Sequence, residues 1–233
     1  MGTVETPWDT EYKKQGIPSS IRAEPSGVLV WALTCWPFIA ETPQPKTALD
    51  VGCGAGRNLH YMASRGIKPI GVDASIEAVT RAKERINQAA LDIRPEVLHH
   101  DLANGLPLAD ASTDFVADIF VYKHQLSASC RNAYRREIAR VLTPGGVVLL
   151  SLALRDDGYY KDCPAIADPE GLNPRTIIDP IAGIGSVLFS LDEIVAEFSD
   201  CFRLEMTWDK ARRGMMHGRE YVRRTLGSLW IRQ

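Results

Sequence analysis

Leu49-Asp50-Val51-Gly52-Cys53-Gly54-Ala55-Gly56-Arg57-Asn58 reads as a short apolar strand that enters a glycine-rich turn and passes directly into a helix. Glycines at alternate positions let the backbone turn tightly and approach a ligand where any Cβ would collide. The helix start behind them offers free N–H groups and the positive end of a dipole. Such a turn suits a nucleotide-like cofactor. Pro69-Ile70-Gly71-Val72-Asp73 adds a second strand ending in a carboxylate, 21 residues after Gly52. A carboxylate so placed accepts from both hydroxyls of a ribose.

The glycine register separates two cofactor classes. A dinucleotide turn is written G-x-G-x-x-G, and its third glycine packs helix against strand beneath a pyrophosphate. Gly52, Gly54 and Gly56 depart from that spacing, and Arg57 stands where the third fingerprint glycine would be. The run resembles instead the first motif of the class I S-adenosylmethionine (SAM) methyltransferases: an acidic residue, then x-G-x-G-x-G, with another acidic residue ending the next strand. Further landmarks of that family follow in order. His99-His100-Asp101-Leu102 comes after a third strand around Val97, where the family has an acidic residue for the adenine amino group. Phe115–Val121 reads as a fourth strand, and Arg140–Leu150 resembles the family's helix, L-x-P-G-G turn and fifth strand.

The resemblance covers residues 48–153 firmly and implies an α/β, Rossmann-like, doubly wound sheet of seven strands. The last strand would be antiparallel, with helices on both faces. It implies SAM as cofactor and S-adenosylhomocysteine as product. Gly52, Gly54, Asp73 and Asp101 would bind the donor, with Arg57 near its methionine end and Ala74 and Leu102 beside the adenine; Asp50 and Val121 complete the cofactor set.

Composition agrees with a globular domain. The chain has 233 residues, 45% hydrophobic and 24% charged, with a net charge of −2. No global basic field points to nucleic acid, and Arg135-Arg136 and Arg212-Arg213 read as solvated surface. Five scattered cysteines without C-x-x-C spacing argue against a disulfide framework and a zinc site, so no metal is expected. No secretory signal is visible, and the apolar stretch Val28–Ala40 is broken by Pro37 and too short to cross a bilayer. These features predict a cytoplasmic protein without a membrane partner, monomeric or homodimeric.

Along the chain, residues 1–45 read as an N-terminal lid and helix, carrying Trp8, Tyr12, Pro7, Pro18 and Pro25, with Ser26 capping a helix over Gly27–Trp36. Residues 46–233 read as the main domain. The strand–helix alternation predicts helices over Asn58–Arg65, from Ser75 through Ile86 towards Leu91, and Ser129–Leu142. A loop is expected over Leu102–Asp114, a helix over Leu191–Phe198 capped by Ser190, and final strands over Phe202–Trp208 and Tyr221–Ile231. Residues 155–188 hold Pro164, Pro169, Pro174 and Pro180 without clear period, and read as a substrate-side loop.

Methyl transfer from a sulfonium draws most of its acceleration from alignment, so no sharp catalytic constellation is required. The N/D-P-P-Y signature of base and amide N-methylation is absent after strand four, where the chain reads Tyr122-Lys123-His124-Gln125. His124 is the candidate base or orienting group, the alternative being a loop cap. Tyr122 shares its loop as a candidate for contact with donor or acceptor. W-D-x-x-Y places Trp8 and Tyr12 either as a lid with aromatic faces or as a staple onto the core. Together with the glycine turn, that leader looks like the tellurite-resistance and thiopurine methyltransferases, whose acceptors are small, soft or metabolite-like.

Two clusters disagree about the acceptor's charge. Asp156 and Asp157 beside Tyr159 and Tyr160 suit an amine, or simply a turn with packed tyrosines. Arg175, Arg212, Arg213 and His217 suit an anion. The reading is a SAM-dependent methyltransferase of a small molecule. Alternatives are a SAM enzyme that cleaves or cyclises its donor, a non-catalytic SAM-binding protein, and a nicotinamide-dependent reductase.

Overall fold

The computed structural model describes residues 5–14, 17, 22–167 and 175–233; Pro18, Pro169 and Pro174 lie outside the described residues. Strand β1, Thr47–Val51, pairs in parallel with β2, Lys68–Asp73, on one side. On its other side lies β4, Thr113–Ile119, and β3, Glu96–His99, extends the sheet beyond β2. Strand β5, Leu142–Ala153, follows β4. The last strand in sequence, β9 at Arg219–Arg232, runs antiparallel to β5, and β8 at Phe202–Met216 closes the edge. The order is β3-β2-β1-β4-β5-β9-β8, the expected seven strands with an antiparallel last one.

Alternation along the central strands supplies a core to each face, because successive side chains point to opposite sides of a sheet. Val147 and Leu149 pack with Leu29, Leu59 and Val79 from the helices Gly27–Cys35 (α2), Arg57–Ser64 (α3) and Ile76–Gln88 (α4). Val148 and Leu150 pack on the opposite face with Ile138 and Phe198 from Ala128–Val141 (α5) and Leu191–Phe198 (α6). A separate short helix, α1, spans Pro7–Lys14.

Local signals set the helix starts. Ser75 Oγ accepts from Ala78 N at the start of α4, and Ser190 forms a reciprocal capping box with Glu193 at α6. Helix α5 starts one residue earlier than expected, at Ala128, because Ser127, with its hydroxyl on Cys130 N, is the cap. Ser26 holds the N-cap position of α2 without capping it; its hydroxyl accepts from the Arg57 guanidinium instead.

Four differences from the sequence reading matter for the site. Strand β4 stops at Ile119 rather than Val121, because the Asp118 carboxylate accepts from Val121 N and Tyr122 N and pulls the chain into a turn, with Phe120 at φ 70°. The final strands are far longer than expected and join through a two-residue turn, His217-Gly218, both at positive φ. That geometry is the hairpin turn whose twist matches paired strands. The segment 155–188 is not wholly irregular: β6, Thr176–Ile178, pairs with β7, Gly185–Val187, and its tyrosines pack with Met216 of the hairpin. Arg135 is not solvated surface, being buried and paired with Asp200 at 2.8 Å. Among the described residues, no helix is long and apolar enough to cross a membrane; the five cysteines are unpaired.

Candidate functional site

The glycine turn takes φ of 60°, 55° and 75° at Gly52, Gly54 and Gly56, the left-handed region that other residues enter at a cost of about 1–2 kcal/mol each. Close approach adds to this. A Cβ on Gly52 would overlap the Val121 side chain, and one on Gly54 would overlap the Tyr12 hydroxyl. The turn is locked to β2 by Asp73, whose Oδ2 accepts from Gly54 N and Oδ1 from Ser75 N, both at 2.9 Å. Burial raises the Asp73 carboxyl above its ordinary value, against the lowering effect of those two N–H groups.

One cavity of about 380 Å³ opens outside the carboxyl ends of the parallel strands, where ligands of doubly wound sheets bind. Gly52, Arg57, Asp73, Ala74, Asp101, Leu102 and Val121 all line it, as do Trp8, Tyr12, Tyr160 and His124. Asp101 caps a short helical turn through its Oδ1 on Ala103 N. Arg57 is held by Ser26 Oγ at 2.9 Å and the Glu24 carbonyl at 3.3 Å.

Helix α1 lies across the turn because of Asp9, the unremarked second residue of W-D-x-x-Y. Burial alone would push its carboxyl up. Hydrogen bonds from Ser75 Oγ (2.6 Å), Thr6 and Glu77 N outweigh that and hold it down at about 2. The anchor lies at the positive end of α4. It sets Tyr12 over Gly54 and Trp8 edge-on to His124, with ring centroids 5.0 Å apart.

His124 ends a short helical turn, Tyr122–His124. Its Nδ1 lies 2.7 Å from the Gly185 carbonyl, which can only accept, so this nitrogen carries the proton and Nε2 keeps the lone pair. Burial, then the neighbouring Lys123, lower the ring to about 3. His124 is therefore neutral throughout the physiological range.

Four residues of the predicted site lie off the cavity wall. Asp50 is buried behind the turn with Oδ2 unpartnered among the described residues, and burial raises it to about 7. Gly54 is covered by Tyr12. Tyr122 is a core residue with its hydroxyl on Glu197 and its ring against Tyr134 and Phe198. Tyr159 donates to Asp179 at 2.9 Å.

The acidic cluster is absorbed too. Asp157 takes Arg223 Nε at 2.8 Å and three backbone N–H groups, and Asp156 pairs with Arg224. Of the basic cluster only Arg212 reaches the cavity; His217 pairs with Asp179 and Arg213 with Glu220. The wall also holds Lys123, Trp208, Lys210 and Arg223, which the sequence reading left out. Period-2 spacing of Trp208, Lys210 and Arg212 was the available signal.

Comparison with known proteins bears on this arrangement. Residues 48–146 match a family model described as a methyltransferase domain. An uncharacterised methyltransferase of Synechocystis sp. is 32% identical over 112 residues, 48% of this chain and 49% of the relative. A probable S-adenosylmethionine-dependent methyltransferase of Mycolicibacterium smegmatis is 36% identical over 106 residues, 46% of this chain and 37% of the relative. The chain thus spans half or less of the length of these curated relatives. Among solved structures, the 1,6-didemethyltoxoflavin-N1-methyltransferase of Burkholderia thailandensis, with bound 1,6-didemethyltoxoflavin and S-adenosylhomocysteine, has a TM-score of 0.65 at 16% identity. That match covers 100% of this chain and 93% of the other, and it shows the fold. Residues 48–146, which carry the glycine turn, Asp73, Asp101 and the loop after β4, thus match a methyltransferase domain and share its fold.

Proposed function

We propose that this protein transfers a methyl group from SAM to a small-molecule acceptor held in the same cavity. One observation carries the reading: a single cavity joins Gly52, Asp73 and Asp101 to the His124 ring and the aromatic residues Trp8 and Tyr160. Its 380 Å³ lies within the range of about 300–1,000 Å³ common for small-ligand pockets.

The residues fit the donor. Each Asp73 oxygen spends one lone pair on a backbone N–H and keeps another for a ribose hydroxyl. Asp101 keeps Oδ2 for the adenine amino group, with Ala74 and Leu102 beside the base. Arg57, fixed through Ser26, holds the methionine end. The absence of a side chain at Gly52 leaves the backbone open to the ligand beside Val121.

When bound, the donor supplies a methyl group on a sulfonium that leaves as a neutral thioether under in-line attack by an acceptor lone pair. His124 Nε2 accepts a hydrogen bond from the acceptor's O–H or N–H and turns its lone pair toward that methyl group. A ring held near 3 orients better than it removes protons, since a base works best with a pKa near the working pH. Trp8 and Tyr12 cover the donor from α1 and exclude water.

The test is to incubate the protein with methyl-tritiated SAM and a deproteinised small-molecule extract. Label should pass into a new organic product with release of S-adenosylhomocysteine. Donor consumed without methylated product would indicate cleavage or cyclisation, and donor bound but intact would indicate a non-catalytic role.

A further inference from the structure

Charge is divided across the cavity. Its two carboxylates, Asp73 and Asp101, follow β2 and β3. The remainder of the wall carries Arg22, Lys123, Lys210, Arg212 and Arg223, and of these only Arg223 has an ion-pair partner among the described residues.

Several features distinguish this cluster from a solvated charge run. Lys123 is 1% exposed and, among the described residues, its Nζ has no hydrogen-bond partner; it lies over the rings of Tyr160 at 3.8 Å and Phe120 at 5.5 Å. An unpaired buried ammonium is costly, several kcal/mol by general estimates. Arg212 and Arg223 are cross-strand partners in the β8–β9 register, and like charges directly opposite one another destabilise a hairpin. Alternation puts Trp208, Lys210 and Arg212 on the cavity face, while the neighbouring Asp209 and Arg213 find their partners in Arg224 and Glu220. Asp209 turns away to Arg224, and the two carboxylates whose charge reaches Lys123, Asp157 and Asp179, are already held by Arg223 and His217.

Resting on the methyl-transfer reading, we propose that the acceptor is an anion: a small molecule with a planar body and a carboxylate or phosphate group held by Lys123 and Arg212. The planar body lies among Trp8, Tyr160 and Trp208, which share the wall. Burial, then the repulsion of Arg223, push the Lys123 ammonium down to about 7, and a bound anion offsets both. Lys210 stacks over Trp208 at 4.6 Å on the same wall.

The test is calorimetric titration with phenyl phosphate, benzoate, benzamide and benzylamine, each with and without saturating S-adenosylhomocysteine. Phenyl phosphate or benzoate should bind about tenfold more tightly than benzamide or benzylamine. Which of the two binds tighter separates phosphate from carboxylate. Lys123→Met and Arg212→Gln should each cut the anion's affinity about fivefold while S-adenosylhomocysteine affinity moves by less than about twofold. Arg212 is exposed on a strand, so its variant reads the site even if the buried substitution disturbs folding.

Benzylamine binding as tightly as the anions would overturn the proposal, and so would an anion preference that survives both substitutions. Anion selection without S-adenosylhomocysteine binding would instead remove the methyl-transfer reading and leave the anion site standing.

Discussion

The turn over Gly52–Gly56 and the hairpin of β8 and β9 wall one cavity, yet they are built in different ways. The turn works through what it lacks: three residues without side chains, at φ between 55° and 75°, bring bare backbone to the ligand. The hairpin works through what it adds, projecting Trp208, Lys210 and Arg212 from alternate positions of a strand that extends past the core. A bare-backbone surface suits a ligand that never changes, and a wall of long side chains can be retuned without disturbing the sheet. The proposed donor and acceptor sites fall on the corresponding sides.

The sharpest way to break that comparison is at Gly52. Gly52→Ala combines a strained φ with overlap on Val121, and should cost about 2–4 kcal/mol in thermal or denaturant unfolding. A variant of wild-type stability would show that the turn needs no glycine there. Next comes Asp73→Ala, which removes the acceptor for Gly54 N and Ser75 N as well as for a ribose. SAM affinity should fall by more than about tenfold, read by calorimetry.

Why one side was legible and the other was not follows from the same contrast. Glycine spacing, a carboxylate at the end of β2 and serine caps act over a few residues, so Gly52, Asp73, Ser75 and Ser190 could be assigned from neighbours alone. The hairpin is set by cross-strand pairing over as many as 30 residues, such as Phe202 with Arg232. Its charged alternation looks like ordinary surface until the partner strand is in place. Tyr122 and Tyr159 were misplaced for a related reason: they sit next to wall residues, and a one-position shift carried them into the core. Asp157 looked like a ligand for an amine, but its real partner, Arg223, is 66 residues away.

Asp50 sharpens the boundary between turn and core. Its carboxyl titrates at about 7 against an ordinary 3.8. Both folded and unfolded forms are protonated below pH 3.8, so the burial costs nothing there. The cost grows as pH rises between the two values and is complete above 7. Asp50→Asn should therefore raise the melting temperature by an increment that widens from pH 4 to pH 8. A constant increment across that range would mean the carboxyl finds a partner when ionised.

The smallest effects are expected in α1. Asp9→Ala should cost about 1 kcal/mol of stability, as for a lost cap, while loosening Trp8 and Tyr12 over the site and slowing turnover. Trp8→Ala should slow turnover with little change in melting temperature. A large fall in melting temperature without a kinetic effect would make α1 a staple rather than a lid.

The central claim is that the glycine turn and Asp73 hold S-adenosyl ligands and not dinucleotides. Isothermal titration of the protein and its Asp73→Ala variant with SAM, S-adenosylhomocysteine and NADH tests it directly. The account predicts micromolar binding of both S-adenosyl ligands, a loss exceeding about tenfold in the variant, and no binding of NADH. Binding of NADH alone, or unchanged S-adenosyl affinity in the variant, would contradict it.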